Sequence, residues 1–472
     1  MSAPESGVAR VAVVGGGWAG CAAAVELAGG GALVTLVESS RSLGGRARGV
    51  EMGARILDNG QHILLGAYGE TLRLLREVGV DPDSAMLRLP VQMRYPFPEE
   101  GGGMDFVAPR WPAPLHLLGA LLRAKGLARA DKLALARFTS AARRMGWVLY
   151  NDCSVDELLD RFDQTERLKR LLWHPLCIAA LNTPPARASA KVFLAVLRDS
   201  LGAKRRAASD MLLPRLDMGA LFPQAAARHL ESHGGSVRLG VKAEALSPHE
   251  DGWQLTLNGQ PERFDAVVLA TPAGVSASLL APHPETAALS TQLAGFGYEP
   301  IATCYLQYDP SIRLALPFYA LLDDPASNRW GQFAFDRGQL DSRYPGLLAV
   351  VVSAAGDAAG LGQDALAGAI AAQLAQDLRR PELAAPQWSR VITEKRATFS
   401  CTPGLARPGN ETALPGVLLA GDYTASDYPA TLETAVRSGV AAATVILSYD
   451  TLPREKRSLS HGGGPGRSAS VQ

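Results

Sequence analysis

Glu38 is the first side chain whose type and position suggest chemistry, because it follows a glycine-rich segment at a fixed spacing. Gly15, Gly17 and Gly20 come directly after the apolar run 11–14. Glu38 ends a second apolar run, eighteen residues after Gly20. In this spacing the first glycine allows a tight turn, the second lets the backbone approach a diphosphate, and the third lets a helix pack on a strand. The carboxylate can accept hydrogen bonds from a ribose diol, so the pattern predicts a dinucleotide site.

A strand, a helix and a second strand must hold these residues in place. The helix would begin at Trp18 and Ala19, so that its free N–H groups and the positive end of its dipole meet the diphosphate. Ser39 follows Glu38 directly and is included in the predicted site. The alternative is a glycine turn with a purely structural role, and the coincidence of two strands, a helix and a terminal acid disfavours it.

A second glycine pair, in the segment 41–48, indicates which dinucleotide binds. Gly45 lies in this pair and is followed by Arg46, a charge-assisted donor that could neutralise a diphosphate. A solvated basic loop is the alternative interpretation. Placed directly after the first motif, the segment resembles the Gly-Gly-Arg motif of the amine oxidase and phytoene desaturase superfamily of flavoproteins. That resemblance implies FAD as the cofactor.

The C-terminal part of the chain resembles the same superfamily. A buried strand ends at Gly421 and Asp422, and a helical pattern starts at about Thr431. The resemblance implies that Asp422 receives the ribityl hydroxyls and that the helix points its N-terminus at the flavin, where its dipole would stabilise negative charge. Asp422 as a simple turn residue is the alternative. Val241 matches the position that contacts the adenine through its backbone, with an ordinary core valine as the alternative.

The length of 472 residues favours two domains. The resemblance implies an α/β fold, with a Rossmann-type FAD-binding domain and an inserted α+β substrate domain. The first insert looks helical, and the second mixes strand-like runs at 301–306 and 347–352 with an alanine-rich helix near 364–378. The predicted ranges are 8–75, 206–285 and 401–450 for the FAD-binding domain, 76–205 and 286–400 for the substrate or cap domain, and 453–472 for a disordered tail.

Composition narrows the function classes. The chain has 47 basic and 46 acidic residues, so nothing in its charge favours a nucleic-acid partner. Its five cysteines lack metal-ligand spacing, and we expect reduced thiols and no metal site.

The first ten residues lack the apolar core of a signal peptide, and we expect a cytoplasmic protein without a transmembrane helix. No second dinucleotide motif follows, so an external electron donor is expected.

The segment 110–144 carries a possible clue to the substrate. It contains eight Arg or Lys residues, a single acid at Asp131, and many interleaved leucines. A basic amphipathic helix pair of this kind can lie on an anionic membrane surface, here the inner face of the cytoplasmic membrane. The substrate would then be a lipid. The alternative is a helical cap that packs its apolar face on its own domain.

Three longer segments, 57–68, 173–184 and 421–429, resemble the hydroxysqualene dehydroxylase family of bacterial flavoproteins, which acts in squalene and hopanoid synthesis. The resemblance implies reduction of hydroxysqualene, or a related long isoprenoid, to the hydrocarbon with loss of water. Protonation helps an allylic hydroxyl to leave, and the allylic cation can accept a hydride. Such a site needs an apolar tunnel, an acid near the hydroxyl and little water.

The acid is predicted among side chains on segments that should run past the flavin. His62, Asp427 and Tyr428 are the predicted catalytic residues, although a hydrogen-bonded structural role is the alternative for His62. Asp58 is a further candidate in what could be a plain turn. His174 would either line the tunnel or cap a helix.

Three rival functions remain open from the sequence. A polyene desaturase shares the fold and the apolar tunnel but removes hydride from its substrate. A flavin amine oxidase should carry an aromatic cage, for which the Tyr423 and Tyr428 pair is a poor match. A non-catalytic scaffold for membrane isoprenoid synthases would use its flavin only for structure.

Overall fold

The computed structural model describes residues 9–53, 55–97, 103–202 and 204–450. The predicted tail 453–472 and the first eight residues lie outside these ranges. The strands described are β1 (Arg10–Val14), β2 (Leu33–Glu38), β3 (Gly49–Met52), β4 (Arg55–Asp58), β5 (Leu64–Leu65), β6 (Met86–Leu89), β7 (Gln92–Arg94), β8 (Asp105–Val107), β9 (Met211–Pro214), β10 (Ser236–Leu239), β11 (Ala243–His249), β12 (Gly252–Leu257), β13 (Gln260–Phe264), β14 (Ala266–Leu269), β15 (Tyr298–Gln307), β16 (Phe318–Ala320), β17 (Phe333–Asp336), β18 (Leu347–Ser353), β19 (Trp388–Phe399) and β20 (Val417–Leu419).

The α-helices in the same ranges are α1 (Trp18–Gly29), α2 (Gly69–Glu77), α3 (Pro82–Ala85), α4 (Leu115–Arg123), α5 (Arg129–Arg144), α6 (Val155–Arg161), α7 (Glu166–Leu168), α8 (His174–Leu181), α9 (Ala190–Ser200), α10 (Met218–Leu221), α11 (Pro223–Ser232), α12 (Ala273–Leu280), α13 (Ala287–Ala294), α14 (Arg337–Leu340), α15 (Gln363–Asp377) and α16 (Leu432–Asp450). None of the helices described is both long and apolar enough to cross a bilayer.

A five-stranded parallel sheet, in the order β10-β2-β1-β14-β20, forms the first layer of the fold. Its central strands are rich in buried valine and leucine, as expected for a sheet covered on both faces. Helices α1 and α16 pack together so closely that a Cβ on Gly439 would lie 2.1 Å from the carbonyl oxygen of Ala19. This is the Rossmann-type arrangement that the motifs predicted.

A second five-stranded sheet, β16-β17-β18-β15-β19, is antiparallel. Leu366, Ile370 and Leu374 of α15 pack with Cys304 and Val350 of this sheet in one buried cluster. The predicted strands at 301–306 and 347–352 and the helix near 364–378 are thereby confirmed as parts of β15, β18 and α15. The two large sheets fall in different predicted domains, and the domain limits themselves stay a prediction.

The first insert, 76–205, is less purely helical than expected. It contains α3 to α9, but also the short strands β6, β7 and β8. β6 pairs with β9, a strand more than a hundred residues later, and β7 pairs with β8. The expectation of a helical insert was incomplete because strands of three or four residues owe their formation to these partners, and their own residues carry no alternation long enough to detect.

Candidate cofactor and active site

The turn between β1 and α1 requires glycine at two positions because the backbone of the protein itself packs closely against them. Gly15 has φ of +108°, and its N–H donates to the carbonyl of Val37 at 2.7 Å. A Cβ at Gly15 would lie 2.5 Å from the carbonyl oxygen of Ala270, and one at Gly20 would lie 1.8 Å from that of Gly15. The first and third glycines therefore allow backbone segments to approach where no side chain fits.

Gly17 is different because the protein itself leaves space at this position. A Cβ there would meet only the Cα of Gly45, at 3.9 Å. Gly45 has φ of +59° and belongs to the second glycine pair, which the Gly44 N–H ties to the Gly16 carbonyl at 2.8 Å. A Cβ on Gly45 would in turn lie 3.2 Å from the Cα of Gly17, so the two glycine segments run side by side. They do so at the carboxyl ends of β1 and β2, the edge at which this class of fold has its ligand groove.

Glu38 lies beside the same turn. Its Oε2 accepts the Gly16 N–H at 2.7 Å, and its Oε1 accepts the Ser40 N–H at 2.7 Å and the Ser39 hydroxyl at 3.3 Å. The N–H of Val241 donates to the Glu38 carbonyl at 3.0 Å. The structure thus places the acid, Ser39 and the backbone of Val241 close together, and their contact with a cofactor stays a prediction.

Two predicted site residues, Trp18 and Ala19, have buried side chains. The Trp18 indole N–H donates to the Ala47 carbonyl at 3.2 Å, and its ring packs on Phe222 with centroids 5.2 Å apart. Ala19 is buried against α16, close to Gly439. Because their side chains are buried, these two residues would contact a ligand through their main-chain groups in the first turn of α1.

Arg46 and Asp422 meet across the chain although 376 residues separate them. Their side chains form an ion pair of 2.6 Å, and Arg46 also donates to the Ala397 carbonyl at 2.9 Å. Burial lowers the pKa of Arg46, but the Asp422 carboxylate more than offsets this, and the net pKa lies above its ordinary value. The pair connects the second glycine segment with the end of β20.

The start of α16 completes this side of the groove. The Thr431 hydroxyl accepts the Thr434 N–H at 3.1 Å and so caps the helix. The Gly421 N–H and the Thr424 hydroxyl both donate to the Ser438 hydroxyl, at 3.0 and 2.7 Å. Ser438 was not predicted from the sequence, although a serine on the apolar face of the predicted helix was a detectable signal.

His62 follows β4 on a loop that runs beside the second glycine segment. The Asn59 N–H donates to the Arg48 carbonyl at 3.0 Å, and the Arg48 N–H donates to Asn59 Oδ1 at 3.2 Å. His62 Nε2 is shielded from solvent and has no hydrogen-bond partner among the residues described. Burial lowers the pKa of His62 to about 4, so the imidazole is neutral at pH 7. An unpartnered nitrogen in this position is available to a ligand.

Asp58 belongs to a buried polar network that the sequence did not reveal. Its Oδ1 accepts the Met218 N–H at 2.7 Å, and its carbonyl accepts the Tyr305 hydroxyl at 2.8 Å. Gln61 links Tyr305 at 2.8 Å to Arg337 at 3.1 Å. Burial raises the pKa of Asp58 to about 7, against the opposing effect of Arg337. Asp58 is therefore the last residue of β4 and part of the junction with the second sheet, rather than part of a plain turn.

The other predicted acids lie in a separate cluster. Asp427 Oδ2 is 3.6 Å from Arg198 Nη2, which also donates to the Tyr428 hydroxyl at 3.4 Å. The side chain of Asp427 is 71% exposed. His174 begins α8 and pairs with Asp156 at 2.8 Å. The structure thus joins Asp427 with Tyr428, and none of the contacts in the described part of the chain connects either of them with His62.

Comparison with known protein families gives a match over most of the chain. The sequence profile of the flavin containing amine oxidoreductases matches residues 18–447. The chain belongs to this flavin amine oxidoreductase family. As a member, it is an oxidoreductase with FAD as its cofactor, as the two glycine motifs predicted.

Individual members of the family extend the likeness over nearly the whole chain. A hydroxysqualene dehydroxylase from Rhodopseudomonas palustris is 30% identical, covering 93% of this chain and 98% of that protein. One from Sinorhizobium fredii is 28% identical, with the same coverage. The solved structure of cyclohexylamine oxidase from Brevibacterium oxydans superposes with a TM-score of 0.66 at 17% identity, over 94% of this chain and 99% of that one. This last likeness supports the fold.

Proposed function

We propose that this flavin amine oxidoreductase reduces hydroxysqualene to squalene, releasing the hydroxyl as water. The observation that carries the proposal is the 30% identity to a hydroxysqualene dehydroxylase over nearly the full length of both chains. One buried apolar cluster includes Leu57 of β4, Phe399 in the second sheet and Tyr423 beyond β20. A long polyene bound near the flavin would lie against apolar side chains of this kind.

The residues around the groove fit FAD. The adjacent backbones of Gly17 and Gly45 carry no side chains that would keep a diphosphate away, and Arg46 supplies positive charge in the same segment. Glu38 can accept hydrogen bonds from the ribose diol, with the backbone of Val241 next to the adenine, and Asp422 can accept those of the ribityl hydroxyls. When bound and reduced, FAD supplies the hydride that replaces the hydroxyl. An external donor restores the electrons.

The protein must make the hydroxyl leave and keep water away. The C–O bond breaks with both electrons going to oxygen, and an added proton turns the departing group into water. The carbon left behind is an allylic cation, which the hydride converts to the hydrocarbon. Bulk water would intercept this cation, so a site enclosed by buried side chains favours reduction over the return of the alcohol.

We propose that His62 is the residue that contacts the hydroxyl of the substrate. Its Nε2 is enclosed, unpartnered and on the loop beside the second glycine segment. As imidazolium, a histidine with a pKa of about 4 is a strong proton donor. Asp427 and Tyr428 remain the alternative donors, and the 71% exposure of Asp427 suits an enclosed reaction less well.

The direction of hydride flow tests the proposal. Dithionite-reduced holoprotein is mixed anaerobically with hydroxysqualene, and oxidised holoprotein is mixed with squalene and, separately, with phytoene. The extracted lipids are analysed by mass spectrometry. We expect squalene from the reduced protein and no product from the oxidised one. A desaturated product from the oxidised protein, without squalene from the reduced one, would favour the polyene desaturase instead.

A further inference from the structure

An apolar ridge on α4 stands out from the rest of the surface. Leu115, Leu118 and Leu122 are 52%, 51% and 65% exposed. Their spacing places them on one face of the helix, while His116 and Ala120 on the other face are buried. Three long apolar side chains in line are more than the scattered exposed leucines of an ordinary surface.

The ridge is held in a defined shape. The Trp111 ring lies against α4, because a Cβ on Gly119 would come within 2.7 Å of it. Arg123 lies over the same indole ring, with its guanidinium carbon 4.7 Å from the ring centroid. Lys132 donates to the Leu122 carbonyl at 2.9 Å and so joins α5 to the end of α4. Its neighbour Leu133 is 61% exposed and extends the apolar surface.

Positive charge surrounds this ridge. The cations between residues 110 and 137 are Arg110, Arg123, Lys125, Arg129, Lys132 and Arg137. The single acid in the same stretch, Asp131, is buried and accepts the Ala128 N–H at 2.8 Å and the Thr165 hydroxyl at 2.6 Å. The described residues give Arg110, Arg129 and Arg137 no carboxylate partner. The chain as a whole has a net charge of only +1, so this surface concentrates positive charge locally.

We propose that the surface formed by Trp111, Leu115, Leu118, Leu122 and Leu133 docks on an anionic lipid bilayer. The leucines and the indole would enter the boundary between headgroups and acyl chains, and the surrounding cations would meet anionic headgroups. A second copy of this chain is a poorer occupant, because a two-fold interface would bring two sets of six cations together. The proposal does not depend on which lipid the enzyme reduces.

Vesicle binding by the full-length holoprotein tests this surface. The probes are vesicles of equal parts phosphatidylglycerol and phosphatidylcholine, and vesicles of phosphatidylcholine alone, at low ionic strength and at about 1 M salt. We expect at least about tenfold stronger partitioning onto the anionic vesicles at low salt, largely lost at high salt. Failure of the wild-type protein to bind anionic vesicles at low salt would overturn the proposal.

Matched variants assign the binding to the ridge. The variant Leu115→Ser/Leu118→Ser/Leu122→Ser should lose at least about tenfold in partitioning. The control Leu33→Ser/Leu361→Ser/Leu405→Ser removes three exposed leucines elsewhere and should bind like the wild type. The single variant Leu122→Ser, which removes the most exposed of the three side chains, should weaken binding in the same direction if the triple variant folds poorly.

Two further outcomes would contradict the proposal. One is anionic-vesicle binding by the ridge variants that equals that of the wild type. The other is a wild-type dimer, seen by sedimentation, that the ridge substitutions dissociate while vesicle binding persists. The charge variant Arg110→Gln/Arg129→Gln/Arg137→Gln should lose about two orders of magnitude in partitioning on anionic vesicles and show a weaker salt dependence than the wild type, because three of the six cations remain.

Discussion

His62 is the residue on which the proposed proton transfer depends, and its pKa makes the proposal testable by pH. Burial lowers that pKa to about 4, so only a small, pH-dependent fraction is protonated near neutrality. We expect the rate of hydroxysqualene reduction in a single turnover to rise about tenfold for each unit that pH falls from 8 to 5. His62→Gln should flatten this profile. A plateau below pH 7 would instead indicate a donor such as Asp58, whose pKa is about 7.

Arg46 gives a second test at the residue scale. It forms the 2.6 Å pair with Asp422 beside the proposed diphosphate position. Arg46→Met should weaken FAD binding by about 10–100-fold, the usual effect of losing a charge-assisted hydrogen bond. The same substitution at Arg41, an exposed residue of the same loop, is the control and should leave FAD affinity unchanged. Equal losses in both variants, measured by fluorescence titration of the apoprotein, would contradict the assignment.

Some site residues were predictable from the sequence because their requirements are local. Gly15 and Gly20 are dictated by backbone approach within the turn, and Glu38 ends the adjacent strand. The network around Asp58 was not predictable, because its partners Tyr305 and Arg337 are about 250 and about 280 residues away in the chain. Ordinary residue types at such separations carry no recognisable spacing.

At the scale of elements, the contact between α1 and α16 determines how the start of α16 meets the groove. A Cβ on Gly439 would lie 2.1 Å from a carbonyl of α1, so Gly439→Ala should force the helices apart. We expect a loss of about 1–3 kcal/mol in the free energy of unfolding, together with weaker FAD retention. The measurement is denaturant unfolding of the holoprotein.

Gly368 provides the matched control for that experiment. It lies inside α15, and a Cβ there would meet nothing within 4 Å. Gly368→Ala should therefore stabilise the protein by about 0.5–1 kcal/mol through helix propensity alone. The idea that helix contact, rather than helix propensity, governs position 439 fails if both variants shift the unfolding free energy in the same direction.

The elements that the sequence predicted share strong local patterns. β1, β2, β20 and α15 have continuous apolar runs or alanine-rich periodicity, and the structure confirms them. The strands β6 to β8 escaped prediction because each has only three or four residues and depends on a partner elsewhere in the chain. The helical character of 110–144 was predicted, whereas the outward direction of its leucines required the structure.

At the scale of the whole molecule, polar contacts link the elements that carry the predicted site. Arg46, in the second glycine segment, donates to the carbonyl of Ala397 in β19 of the antiparallel sheet. Asp58 of the β3–β4 hairpin accepts the Tyr305 hydroxyl of the same sheet, and Gln61 joins Tyr305 to Arg337 of α14. The described residues include one glycine-rich dinucleotide turn, between β1 and α1, and a separate electron donor stays a prediction. In the proposed reaction, a site closed to bulk water would protect the cation formed when the hydroxyl leaves.

An anaerobic single turnover tests the central claim most directly. Holoprotein in detergent is reduced with dithionite, excess dithionite is removed, and hydroxysqualene is added while flavin absorbance and extracted lipids are followed. The account predicts reoxidation of the flavin with formation of one squalene for each flavin oxidised. A flavin that stays bound and reduced in the presence of hydroxysqualene, with no squalene formed, would contradict it.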